Sequence, residues 1–159
     1  MNKIIRKIQY SEKVYRFDVE APLIAKSRKA GNFVIIRVDA NSERMPLTIA
    51  DADIEKGTIT LVVQKVGLSS TKLCNLNEGD EIHDVVGPLG NPTHIENFGT
   101  VLCAGGGVGV APMLPIIKAL KAAGNRVLSV IAGRSKDLVI MEDEVRASSD
   151  ELIIMTDDG

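Results

Sequence analysis

Apolar positions recur along the first hundred residues in short runs broken by turn-forming residues. Ile4, Ile5, Ile8 and Tyr10 predict a strand over 3–10, and Val14, Phe17 and Val19 a second over 13–20 that Pro22 ends. Gly31-Asn32 introduces a strand over 33–38, and Lys56-Gly57 leads into 58–66, the clearest strand of the chain. Glu78-Gly79 opens another over 80–86, closed by Gly87-Pro88. Short strands with turn signals at near-regular spacing predict a small antiparallel β-barrel.

After Phe98-Gly99 the period changes. The pattern becomes strand 100–104, helix 110–123, strand 126–132, helix 141–147 and strand 152–156. That alternation predicts an α/β unit with a doubly wound parallel sheet. Its first helix has an apolar stripe, Met113, Ile116, Ile117 and Leu120, with Lys118 and Lys121 opposite, and Gly124-Asn125 to stop it. Two domains are therefore expected, 1–98 and 99–159, with no internal repeat and no low-complexity segment.

Composition narrows the field. The 159 residues are 45% hydrophobic, enough for a core, but only 3% aromatic with no Trp, which argues against a stacking platform for single-stranded nucleic acid. A net charge of −2 leaves no basic footprint for DNA or RNA. The start, Met1-Asn-Lys-Ile-Ile-Arg, lacks the apolar segment of a signal peptide, and no run of about 18 apolar residues would span a membrane. Cys74 and Cys103 fall in different elements and read as reduced and buried, as expected in the cytoplasm. His83 and His94 have no neighbouring cysteine, so no metal constellation is expected.

Four stretches carry candidate chemistry. The first is Val101-Leu-Cys-Ala-Gly105-Gly-Gly-Val-Gly109-Val-Ala-Pro112, which reads as a strand covered on both faces, a glycine turn and a helix beginning near Pro112. Pro115 is expected to be tolerated because the first helical N–H groups lack partners. The spacing is G-x-G-x-x-P, neither the dinucleotide fingerprint G-x-G-x-x-G nor a P-loop. It reads either as a phosphate cradle at a helix N-terminus or as a tight turn with no ligand. The second is Arg44-Met-Pro46-Leu47-Thr48, where a guanidinium that could fork onto a phosphate and a hydroxyl that could bond a heteroaromatic ring lie close together; the bland alternative is a surface arginine before an edge strand. The third runs from Gln64 through Gly67, Ser69, Ser70 and Thr71 to Leu73, where Ser69 or Ser70 is a helix N-cap, a phosphate contact, or both. The fourth, Gly133-Arg134-Ser135-Lys136-Asp137, ends the second parallel strand, where a dinucleotide's adenosine ribose lies, though Arg134 and Lys136 also read as solvated charges.

Together these stretches resemble the ferredoxin–NADP reductase superfamily, and within it the electron-transfer subunits of dihydroorotate dehydrogenase and of the sulfide dehydrogenase or NADH-dependent ferredoxin:NADP reductase type. The likeness covers essentially the whole chain, with Val86-Gly-Pro-Leu-Gly90, Ala132–Leu138 and Thr156-Asp-Asp-Gly159 adding to the motifs above. It implies an FAD-binding barrel domain followed by an NAD(P)-binding domain. It also implies that Arg44 meets the FAD diphosphate and that Pro46, Leu47 and Thr48 lie along the isoalloxazine, with Thr48 the one candidate catalytic residue, near flavin N5. Val63 and Gln64 would line the flavin, and Gly67, Ser69, Ser70 and Thr71 would clamp the diphosphate. Gly105, Gly106, Gly107, Val108, Gly109 and Pro112 would form the nicotinamide dinucleotide site, with Arg134 and Asp157 beside the cofactor and 87–90 walling a cleft between the domains.

The expected function is flavin-dependent electron transfer between NAD(P)H and an iron–sulfur or flavin partner, in a heteromer with a larger flavoprotein or dehydrogenase subunit. The family's 2Fe–2S cluster sits in a C-terminal extension that is not in this sequence; Cys74 and Cys103 lack cluster spacing, so a truncated chain with an incomplete second domain is expected. Arg134 and Lys136 suit a 2′-phosphate and Asp137 a free ribose, leaving NAD and NADP both open. The alternative is a non-redox nucleotide-binding module for regulation or partner binding, which the glycine turn alone would fit.

Overall fold

The computed structural model describes residues 2–159. The chain divides into two compact units, the first ending at Pro92 and the second running Thr93–Gly159. This division falls six residues before the change of period at 98/99, and side-chain bonding accounts for it. The buried Asn125 amide accepts from the Phe98 N–H (2.7 Å) and donates to the Glu96 carbonyl (2.9 Å), which ties the segment before Gly99 to the second unit.

The first unit is built from two antiparallel sheets that form a barrel. Strands β1 (Ile4–Gln9), β2 (Val14–Glu20), β5 (Asp51–Asp53) and β6 (Thr58–Gln64) make one sheet in the order β1-β2-β6-β5. Strands β3 (Phe33–Arg37), β4 (Met45–Thr48) and β7 (Asp84–Leu89) make the other in the order β4-β3-β7. Alternation puts Phe17 and Val19 of β2, Val34 and Ile36 of β3, and Ile59, Leu61 and Val63 of β6 in one core, each at most 1% exposed. The barrel closes by pairing the start of the chain with the segment before β7. The Gly79 N–H reaches the Ile4 carbonyl (2.8 Å), the Ile4 N–H reaches the Asp80 carbonyl (2.8 Å), and the Ile82 N–H reaches the Asn2 carbonyl (3.0 Å).

Residues 80–82 are thus spent on that closure, and β7 runs Asp84–Leu89 rather than over 80–86. Gly87-Pro88 lies inside the strand rather than ending it. A side chain at Gly87 would come within 2.8 Å of Val34 Cγ1, so glycine is what lets β7 pass β3 there. A helix, α1 (Pro22–Ser27), stands where Pro22 reads only as a strand terminator; proline at its first turn costs no hydrogen bond. A second short helix, α2 (Leu68–Cys74), follows β6.

The second unit is a parallel sheet of β8 (Thr100–Gly106), β9 (Arg126–Gly133) and β10 (Glu151–Thr156) in the order β10-β9-β8. Helix α3 (Val110–Ala122) connects β8 to β9, and α4 (Glu142–Ala147) connects β9 to β10. Both crossovers advance in one direction, so right-handedness puts both helices on one face. Val110, Leu114 and Ile117 of α3 and Val127 and Ile131 of β9 are fully buried there. The other face is bare among the described residues: Leu102 is 69% exposed and Ile153 and Met155 are each 58% exposed. The expectation that 101–104 is covered on both faces is corrected accordingly.

Pro115 is the sixth residue of α3, not a first-turn residue, so Ala111 loses the N–H its carbonyl would otherwise accept. The helix tolerates this because Pro115 is buried against the unit's core among Leu114 and Ile117. Gly124, at φ +93°, and the Asn125 N–H, bonded back to the Leu120 carbonyl at 3.2 Å, end α3 as the sequence predicts.

Candidate functional site

The residues singled out in the first unit gather on two segments. β4 pairs along one side with β3, placing Thr48 opposite Phe33 and Pro46 opposite Ile35. It is the edge of its sheet, which is where a proline without an N–H is accommodated. Met45 and Leu47 pack against the core, so period-2 alternation turns Pro46 and Thr48 to the other face. Pro46 is exposed and Thr48 half-buried. Neither the Thr48 hydroxyl nor the exposed Arg44 guanidinium, one residue before β4, has a hydrogen-bond or ion-pair partner among the described residues. A cation just before the edge strand and a proline ring and a hydroxyl on it thus lie within five residues, with the guanidinium and the hydroxyl uncommitted.

The second segment ends β6 and opens α2. Val63 is 1% exposed inside the core, so only its backbone is available to a ligand, whereas Gln64 is exposed at the strand end. The α2 N-cap is Gly67, not Ser69 or Ser70. Ser70, 5% exposed, reaches back from the third helical position: its hydroxyl accepts from the Val66 and Gly67 N–H groups (2.9 Å each) and donates to the Gly67 carbonyl (3.1 Å). Its hydroxyl is fully spent on shaping the turn. Ser69 and Thr71 are half-buried, and the Thr71 N–H closes the first helical bond to the Gly67 carbonyl at 2.9 Å. Gly67 itself is exposed and extended (φ −152°), and a Cβ there would meet nothing within 4 Å. Neither backbone conformation nor packing demands glycine at this point, which suits both a helix N-cap and close approach from outside.

In the second unit the candidates lie at the carboxyl ends of the three parallel strands, the end where open α/β sheets bind ligands. The glycine run divides by role. Gly105 is closed in by its own turn: a Cβ would lie 3.2 Å from the Gly109 carbonyl oxygen and 3.2 Å from Met113 Sδ. Gly106 ends β8, extended at φ −130°. Gly107 has φ +56°, a conformation costly for any other residue. Gly109 is at φ −64°, exposed, with nothing within 4 Å of a Cβ, and so repeats the pattern of Gly67. Val108 is half-buried in the single 3₁₀ turn between them, and Pro112 is exposed at the third position of α3.

After β9, Arg134 and Lys136 are exposed without a partner among the described residues, while Asp137 accepts a hydrogen bond from the Ser135 hydroxyl. Asp157, exposed, follows β10. A hollow of about 620 Å³ at this end is lined by Lys136, Glu142, Thr156 and Asp158 among others. Among the described residues no group of three or more His, Cys, Asp or Glu side chains could hold a metal ion, and no helix is long and apolar enough to cross a membrane. Cys74 and Cys103 are free, and burial pushes both thiols up in pKa, away from the thiolate form.

One connection has no counterpart in the sequence motifs. Lys72, on α2 next to Thr71, extends its ammonium to the loop between β3 and β4, 3.2 Å from Asp39 Oδ2 and 3.4 Å from the Ser42 hydroxyl. Hydrogen bonds from the Ser42 hydroxyl, the Asn41 N–H and Lys72 hold the Asp39 carboxyl below its ordinary pKa. Thirty-three residues separate the two partners, and no local pattern marks them as neighbours.

No protein-family profile matches the chain. Its full length is 48% identical to a dihydroorotate dehydrogenase B (NAD(+)) electron transfer subunit homolog of Thermotoga maritima, 56% of which it covers. Over 94% of its length it is 33% identical to a dihydroorotate dehydrogenase B (NAD(+)) electron transfer subunit of Bacillus caldolyticus, 60% of which it covers. Among solved structures, an NADH-dependent reduced ferredoxin–NADP oxidoreductase studied for flavin-based electron bifurcation superposes with a TM-score of 0.96 at 43% identity, over all of this chain and 58% of that one. Phthalate dioxygenase reductase shares the fold, with a TM-score of 0.77 at 22% identity over 99% of this chain and 51% of that one. The chain spans between half and two thirds of the length of the relatives it matches.

Proposed function

We propose, from the premise that this chain belongs to the ferredoxin–NADP reductase superfamily, that it is the FAD- and pyridine-nucleotide-binding part of an electron-transfer subunit. In that reading it takes electrons from NADH and delivers them to an iron–sulfur or flavin centre of a larger partner subunit. The observation that carries it is the edge strand β4, where the free Arg44 guanidinium, the Pro46 ring and the unpartnered Thr48 hydroxyl line one short stretch.

The residues present fit the two dinucleotides. Gly67 and Gly109 each leave open the volume a Cβ would fill, one in each unit, where a phosphate backbone could come close to the main chain. In the first unit Arg44 would pair with a diphosphate, Thr48 would hydrogen-bond the flavin ring, and Pro46 would pack against it without an N–H to satisfy. In the second, the 105–109 turn would hold the nicotinamide dinucleotide phosphates. A bound flavin supplies the conversion between hydride and single-electron transfer. The chain's own work is to orient and to exclude water, and no side chain is required to move a proton. The NAD(+)- and NADH-dependent names of the relatives favour NADH over NADPH. In that reading Asp137, which accepts a hydrogen bond from Ser135, would meet the ribose hydroxyls.

The intact protein is expected to carry a flavin absorption spectrum that bleaches on anaerobic addition of NADH, and more slowly with NADPH. Arg44→Ala and Thr48→Ala should each weaken FAD retention. A colourless protein that binds only an adenine nucleotide would instead identify a non-redox nucleotide module.

A further inference from the structure

We infer that the Lys72–Asp39 ion pair is a strut that sets the spacing between the two segments of the first unit assigned above to the flavin dinucleotide. The inference rests on that assignment and adds positioning residues to it. The loop that delivers Arg44 is folded on itself: the Asn41 N–H donates to Asp39 Oδ1 at 2.9 Å, and the Ser42 N–H donates to the Asp39 carbonyl at 3.1 Å. Its start is fixed where the His83 N–H bonds the Val38 carbonyl at 3.2 Å. Lys72 grips this folded loop at both Asp39 and Ser42, two residues before Arg44. On its own helix Lys72 is one residue from Thr71 and five from Gly67. The ammonium therefore ties the strand-entry arginine to the glycine turn at the far end of β6, two segments joined by no other side-chain bond among those described between them.

Lys72 is not itself a free phosphate-binding cation, because Asp39 neutralises it; the uncommitted positive charge is Arg44. A ligand with a single phosphate can be held by one segment. A diphosphate that continues into an adenosine must meet both, so its affinity depends on their separation. The strut thus discriminates FAD from FMN, which a merely stabilising ion pair would not.

The test is flavin fluorescence titration of the apoprotein with FAD and with FMN, for the parent, Lys72→Met, Asp39→Asn and Lys72→Arg. Asp39→Asn keeps the side-chain carbonyl that shapes the loop, so it carries the test if Lys72→Met does not fold. Expected is a rise in the FAD Kd of about three- to fivefold for either charge-removing variant, the reach of a partly exposed ion pair. FMN affinity should be unchanged, and Lys72→Arg should restore the parental FAD Kd. An unchanged FAD Kd, an equal loss for FAD and FMN, or no recovery with arginine overturns the strut while leaving the flavin assignment standing. A parent that binds neither flavin overturns both.

Discussion

Alanine at Gly109 and alanine at Gly107 ask different questions of one turn. At Gly109 the backbone is already helical and a methyl group has open space, so Gly109→Ala should leave the thermal midpoint unchanged or raise stability by about 0.5 kcal/mol through the unfolded chain. Its cost should appear only in NADH affinity, as the methyl group occupies the volume a phosphate would use. At Gly107 the positive φ makes any side chain strained, so Gly107→Ala should lose about 1–2 kcal/mol in chemical denaturation before any ligand is added. If both variants lost stability equally, the division of the run into structural and ligand-facing glycines would be wrong. None of this division was legible in the sequence, where four glycines in five positions read as one motif. Only the torsion at Gly107 and the crowding of Gly105 by Met113 separate their roles.

At the level of elements, α2 shows how a correct location can carry a wrong role. The hydroxyl cluster at 69–71 marked the start of a helix, yet it gave no sign that Ser70 would be consumed in bonds back to the turn. Glycine at an N-cap is unremarkable in a sequence, where the serines beside it are the stronger cap signal. Ser70→Ala should remove the side-chain partner of the Val66 and Gly67 N–H groups and cost about 1 kcal/mol, measured by urea denaturation. α1 is not legible in the sequence because Pro22 both ends a strand and begins a helix, and only the second reading depends on what packs above it. In the second unit, Asp150 joins three elements: it accepts from the Val127 N–H at 2.7 Å and from Lys121 at 2.7 Å, just before β10. Its hydrogen bond with Lys121, then that with the Val127 N–H, lower its pKa below the ordinary carboxylate value. The depressed folded-state pKa means that this contribution is full above the unfolded-state value near 4 and is lost as pH falls through the folded value. Denaturation midpoints should therefore drop between pH 5 and 3 (roughly the window of that linkage) for the parent, and less steeply for Asp150→Asn. Equal slopes would remove Asp150 from the account.

Over the whole molecule, the change of hydrophobic period from two to 3.6 was enough to separate an antiparallel barrel from a parallel α/β unit, because each strand's buried set sits on one face of its own sheet. What the pattern could not show is which pairings close a sheet. The bare side of the second unit's sheet depends on the direction of both crossovers, and the barrel's closure depends on Asn2 and Ile82 meeting across eighty residues. The candidate site divides in the same way: its residues announce themselves by type, while the Lys72–Asp39 link arises only from folding. That long-range closure also bears on how the protein is made. The segment 2–4 leaves the ribosome well before its partners at 79–82, which follow almost at the end of the same unit, so the nascent barrel must wait open with its apolar interior accessible until they emerge. Synthesis thus leaves a period in which the unclosed barrel is exposed to chaperones and to aggregation.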